Sequence, residues 1–362
     1  MKITLLIIVL FTIFPVTAFS QHPQLTIQEA TNRAVSNSNL IRNYQDNIAV
    51  TREQEQRARD ALWMNQNSTY GDFINFQTQM LRNSADRARN LDNIAAQRET
   101  LRFTVTSHFF NITRAKNELV NSNKSLEIQA NELQAMRTRE SLGMASRAQL
   151  DAIQNAYTRA LHTRANLENS INTAFRELNR LMGTNINNTY ELVFSAPFMP
   201  IGDINIADYI RLHQNNDVQI ENAQRNLNIA RFERDVHNQI TDPSTGAIVP
   251  GGITRTQREL TLTQATRELN NVRDRVQNSV VDLYNNILNE ENTINSTQLQ
   301  LYLRMQELEV LQVEYNMGQR TEIYLDRKEL EILNLQETLR RHKANHYLFV
   351  MRLTNPNIVH QS

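Results

Sequence analysis

The chain has 362 residues, with 8 Gly, 7 Pro, no Cys, and Lys+Arg and Asp+Glu balanced at 38 each. Zero net charge without a clustered Lys/Arg stripe argues against a nucleic-acid surface. The lack of cysteine excludes disulfides, thiolate metal sites, a cysteine nucleophile and a lipidated N-terminal cysteine. Aromatic residues make up only 7%, and Gln, Asn, Arg, Glu, Leu and Ala dominate. That composition suits long helices with a narrow apolar seam and a wide polar surface.

Lys2 precedes an apolar run, Ile3 to Val16, and Ala18-Phe19-Ser20 places small residues where a signal peptidase reads. Residues 1–20 read as an export signal, with Gln21 first after cleavage. The alternative is an uncleaved anchor, for which about 15 apolar residues fall short of the roughly 20 a span needs. The mature chain divides at its Gly and Pro positions into a first repeat (21–184), a linker (185–203), a second repeat (204–354) and a tail (355–362). The first helix is predicted from Thr26, an N-cap with Glu29 three residues on, to Met64. A break follows at Asn65–Thr78, then a long helix from Gln79 to Glu140. After Gly143, Ser146 caps a return helix that stops at Gly183. The linker holds one extended piece, Tyr190–Phe194.

The second repeat follows the same plan. Ile27, Glu29, Ile41, Ile48 and Arg52 fall on Ile206, Asp208, Ile220, Leu227 and Arg231 at one common offset. The break recurs at Gln239–Gly252. A long helix runs from Thr254 to Tyr315, and after Gly318 a return helix runs from Thr321 to Leu353. Apolar residues recur every seventh position: Val105, Ile112, Leu119, Leu126 and Leu133 before Gly143, and Val280, Ile287, Ile294, Leu301 and Leu308 before Gly318. The return helices repeat the period, with Leu150, Tyr157, Ile171 and Leu178 in one and Leu325, Ile332, Leu339 and Leu353 in the other. A strict period of seven marks a coiled-coil seam. The expected fold is all-α: long antiparallel coiled-coil hairpins in two tandem repeats.

The doubled hairpin, the export signal and the turn Tyr315-x-x-Gly318-x-Arg320-Thr321 followed by Leu325-Asp326 resemble the TolC-like outer membrane efflux proteins. The resemblance covers nearly the whole mature chain and is strongest over Tyr315–Leu353, then over Gly143–Gly183. In that family three chains form a helical tunnel hanging into the periplasm. The resemblance therefore implies a homotrimer of twelve rods. Gly143 and Gly318 would lie at a closable tip that docks a periplasmic adaptor, with an inner-membrane pump beyond it. Tyr315, Arg320 and Thr321 fall where the family places tip residues that hold the closed state or meet the adaptor. Asp151 and Asp326 lie eight residues after their glycines, whereas the best-known members carry acids six after both and nine after the second. Those positions here are Gln149, Tyr324 and Arg327, so a cation-selective ring is not implied.

The family's membrane barrel comes from two strands in each half, placed in the break after the first helix. Two such strands and a loop need about 20–25 residues. Asn65–Thr78 and Gln239–Gly252 are shorter, and the second carries Pro243 and Pro250. The sequence thus holds the helical part of the family without an evident β-barrel. Two functions follow: an exported conduit or adaptor-docking element of an efflux or secretion system, or a non-channel coiled-coil scaffold of the cell envelope. Rods offer no concave pocket with converging polar groups, so neither an enzyme nor a cofactor is expected. His342 and His346 stand i, i+4 without an acid in metal-motif order, and are read as seam or solvated residues rather than ligands. Trp63, at the end of the first helix, could anchor at an interface or pack at the helix end. The plain alternatives for the tip are helix-stop glycines at Gly143 and Gly318, a helix-end charge at Arg320, and dipole-stabilised acids at Asp151 and Asp326.

Overall fold

The computed structural model describes residues 23–64, 70–239 and 255–358. The export signal, most of the second break and the last four tail residues lie outside them. Eight helices fill most of the described residues: α1 (Ile27–Asn37), α2 (Asn39–Met64), α3 (Tyr70–Ser141), α4 (Arg147–Met182), α5 (Ile206–Asn216), α6 (Val218–Gln239), α7 (Arg255–Asn316) and α8 (Glu322–Thr354). Two short strands, β1 (Gln24–Thr26) and β2 (Glu191–Val193), pair in parallel with Leu25 opposite Leu192. No helix among the described residues is long and apolar enough to cross a membrane.

The hairpins fold as the heptads predict. α3 packs on α4 and α7 packs on α8. With 72 residues α3 is about 108 Å long, and α7, with 62, about 93 Å. Each overshoots its return helix, and the shorter helices fill the gap: α1 and α2 pack along α3, α5 and α6 along α7. The halves join through α3, which meets α8 toward the turns and α6 toward the other end. The helices near the turns thus stand in the order α4-α3-α8-α7. This is an open row with two unmatched edges.

The predicted first helix is two helices. Ser38 leaves the helical region at φ −69°, ψ 110°, and its Oγ accepts from Ile41 N at 3.3 Å. The repeat does the same. Asp217 sits between α5 and α6, and its Oδ1 accepts from Gln219 N (2.8 Å) and Ile220 N (3.2 Å). Each is at once a C-cap and the N-cap of the next helix, which is why a short polar side chain stands there. The first break is also shorter than predicted. α3 begins at Tyr70, because a glycine in the first turn leaves the later ladder intact and Asp72 complements the helix dipole. Only five residues separate α2 from α3, and fifteen separate α6 from α7. The side chain of Trp63 lies outside those described.

The core is widest at mid-rod. Leu25, Phe109, Ile112, Phe175, Leu178 and Tyr190 share one buried cluster. Val280, Leu283, Ile287 and Leu353 form another, covered by Ile201, Ile204, Ile206 and Ile210. The linker straps both. Phe194 meets Phe109 and Phe110 edge-on at 5.6 and 5.2 Å, while Phe198 meets His346 at 4.8 Å. The β1 pairing was not legible in advance, since three residues are too few for a period.

Candidate functional site

All three helix-stop glycines end their helices alike. Gly143 N bonds Glu140 O (2.9 Å) and Met144 N bonds Arg139 O (2.8 Å). Gly318 N bonds Tyr315 O (2.9 Å) and Gln319 N bonds Glu314 O (2.9 Å). Gly183 and Thr184 do the same on Arg180 and Asn179. Each is a Schellman motif, with the glycine at φ +73°, +75° and +67° respectively. The next helix starts at the cap the heptads imply. Ser146 forms a full capping box with Gln149. Thr321, its counterpart, caps with no side-chain bond.

The two turns lie at the same end of the molecule, since α3 packs on α8 just behind them. They differ in chemistry. At the first, Leu142 and Met144 are exposed, and Asp151 pairs, among the described residues, with Arg147 of its own helix at 3.3 Å. At the second, Tyr315, Met317 and Tyr324 are exposed. Arg320 bonds Glu314 Oε2 at 2.8 Å across the turn and lies 5.3 Å from the Tyr324 ring. Behind it, Lys328 and Arg304 interlock with Glu307 and Glu331 at 2.6–2.9 Å, which fastens α7 to α8. Glu307 is held below the usual carboxylate range by its bonds from Arg304 and Lys328.

Asp326 does something its counterpart Asp151 does not. It accepts from Lys124 Nζ of α3 at 2.6 Å, and Glu329 lies 3.5 Å from the same ammonium. The hydrogen bond to Asp326 is the main reason Lys124 is pushed above its ordinary value. Asn121 donates to Asn334 at 3.1 Å, and Arg327 pairs with Glu132. These ties join one hairpin to the other. Sequence reasoning placed Asp326 correctly near the turn but missed Lys124, Glu132 and Asn121. They sit in the other repeat, and no heptad or turn signal fixes the register between two hairpins.

His342 and His346 are seam residues, each held by a carboxylate of α7. His342 Nδ1 lies 2.6 Å from Glu290, and the buried His346 Nε2 lies 3.0 Å from Glu291. Glu291 also accepts from Ile201 N at 2.8 Å, so it holds the linker. Each histidine has its own acid, and no group of three metal-ligating side chains occurs among the described residues. The signal that could have found these pairs is the hairpin register. Glu307–Lys328, Arg304–Glu331 and Glu291–His346 all lie at nearly equal distances either side of Gly318.

The fold is thus an open row of long antiparallel helices, doubled in sequence and turned at one end. Solved outer-membrane proteins share this fold. The chain is similar to the outer membrane protein VceC of Vibrio cholerae, at 12% identity and a TM-score of 0.64, over 92% of this chain and 96% of that one. It is similar to the CmeC outer membrane channel of Campylobacter jejuni, at 10% identity and 0.61, over 92% and 85%. The MtrE outer membrane channel of Neisseria gonorrhoeae, in its open state, matches at 12% and 0.61, over 91% and 88%. At these identities the likeness is one of fold. No family model matches the sequence, and no curated protein matches it.

Proposed function

We propose that this chain is an exported, TolC-like component of an efflux or secretion system, built as a homotrimeric helical conduit that docks a periplasmic adaptor at its turns and, through it, an inner-membrane pump. The observation that carries the reading is the open row α4-α3-α8-α7. An open row leaves two long edges unmatched, and copies joined edge to edge in a ring remove both. The α7 edge is built for a partner. Leu299, Leu303, Val310, Val313 and Met317 follow a four-three spacing and are each 51–60% exposed. That is a heptad stripe with no helix on it. The exposed Leu142, Met144, Tyr315 and Met317 at the turns then make up the docking end, with Gly143, Asp151, Gly318, Arg320, Thr321 and Asp326 shaping it. The division into signal, two repeats, linker and tail belongs to the same proposal, as does a place in the cell envelope.

One observation favours a second reading, an envelope scaffold with no channel of its own. The five residues between α2 and α3 are fewer than a single membrane strand of about 9–11 requires. Two measurements separate the readings. The mass of the purified mature protein in solution should be that of a trimer, and a monomer would overturn the conduit. Conductance across a planar bilayer should be absent for the protein alone. Pores formed without a partner would remove the scaffold reading and show that the membrane part lies elsewhere than expected.

A further inference from the structure

Lys+Arg and Asp+Glu are equal over the whole chain, and about half of the described cations sit on acids at salt-bridge distance. In one stretch cations outnumber acids around a groove. A groove between α3 and α8 is lined by Arg114, Arg340, Arg341 and Lys343, against only two carboxylates, Glu118 and Glu337. The carboxylates are already engaged. Glu337 is buried and pairs with Arg340 at 3.2 Å, and Glu118 lies 3.7 Å from Arg114. Lys343 rests 5.8 Å from the Phe198 ring. Arg341 has no acid partner among the described residues. A guanidinium cannot shed its charge, so an unmatched one at a groove favours an anion.

The groove has two compartments that share Arg114, Glu337 and Arg341. One, of about 480 Å³, is polar, lined by the side chains of Asn121, Ser122, Ser125 and Thr163 among others. The other, of about 240 Å³, runs beneath the linker onto Phe110, Phe194 and Leu348. Its aromatic floor is fixed, because Phe110 meets Phe194 at 5.2 Å and Tyr347 at 5.7 Å. Small-molecule sites combine an apolar lining with a few placed polar groups in volumes of about 300–1,000 Å³.

We propose that this groove binds an amphipathic organic anion, with its carboxylate or sulfonate head between Arg114 and Arg341 and its apolar body against Phe110, Phe194 and Leu348. The two cations at the mouth supply charge-assisted hydrogen bonds, and the aromatic floor removes the body from water. The site stands whether the chain works as a conduit or as a scaffold, because it lies within one protomer.

Titration calorimetry on the full mature chain with naphthalene-2-sulfonate tests it. One saturable site is expected, weakening as salt is raised. Arg341→Gln should lower the affinity about tenfold, the loss of one charge-assisted bond. Arg341 is exposed and unpaired, so the variant should keep the helical circular dichroism of the parent. Ala344→Phe, which fills the apolar compartment, should lower it independently. Equal binding of the uncharged naphthalene methyl sulfone would overturn the proposal, since the cations would then play no part. Equal binding of inorganic sulfate would also overturn it, since the apolar compartment would then play none. No saturable heat with the sulfonate would sink it outright.

Discussion

The helix-stop glycines share a motif but not a constraint. A Cβ at Gly143 or Gly318 would meet nothing within 4 Å, so only the left-handed backbone demands glycine there. At Gly183 a Cβ would also collide with the Asn37 amide, which donates to Arg180 O and Leu181 O at 3.3 and 3.2 Å and closes the end of α4. Gly318→Ala should therefore lower stability by about 1 kcal/mol, and Gly318→Asn by less, because asparagine tolerates that region. Gly183→Ala should cost more than Gly318→Ala, since the clash adds to the strain. Urea unfolding of the three variants checks the order. Glu221 is another residue set by its surroundings. Burial is the main cause that pushes it above the usual carboxylate range, and the nearby Asp92 adds to it, while Arg225 opposes. A carboxyl raised on folding stabilises most when protonated, below its unfolded value, and that contribution is lost as pH rises through the folded value. Glu221→Gln should accordingly raise the melting temperature slightly at neutral pH, with the gain vanishing as pH falls below about 4. A gain that persists in acid would contradict this.

At the scale of elements, duplication does not mean equivalence. Asp151 and Asp326 sit at matching distances after their glycines, yet the first side chain is 57% exposed and the second 20%. Asp151 pairs within one helical turn, worth a few tenths of a kcal/mol at most. Asp326 ties two hairpins through Lys124. Asp326→Asn should cost about 1 kcal/mol or more and speed hydrogen exchange on both sides of the α3–α8 seam, whereas Asp151→Asn should do neither. Equal effects would mean that the ties contribute nothing. The seams inside each hairpin were legible in the sequence, because one turn fixes the register of two helices and heptads mark the contact. Val105, Ile112, Val280 and Ile287 are fully buried as the period demands. What joins one hairpin to the other was not legible, because it depends on charges far apart in the chain whose register no turn sets. The Ser38 and Asp217 breaks left a trace, a capping residue at the same offset in both repeats, but the surrounding run of good helix formers hid it. Of the two turns, the glycines and caps were legible from their offsets. The Arg320–Glu314 bond across the turn was not, because it depends on how two side chains fold back over the glycine, which no offset fixes.

For the molecule as a whole, the decisive property is that a row of helices has ends. Inside the row, cross-hairpin charges and heptads satisfy each helix on two sides. α7 is satisfied on one only. Its inner seam, Val280, Ile287 and Ile294, is buried, while its outer stripe, Leu299, Leu303, Val310, Val313 and Met317, stays more than half exposed among the described residues. A folded monomer gains nothing from that stripe, so a solitary protein would be expected to carry polar residues there. The double variant Val310→Glu, Val313→Glu separates the two possibilities. Both side chains are exposed in the protomer, so its helicity and the packing of α7 on α8 should survive. If the stripe is the joint between copies, the solution mass should fall from that of a trimer to that of one chain, because paired carboxylates cannot be buried in an apolar seam without partners. An unchanged mass would place the joint elsewhere and leave the α7 stripe free for a different protein. The paired variant Leu142→Glu, Met144→Glu, at the turns, should leave the trimer intact, since the turns lie beyond the end of the row rather than along its edge.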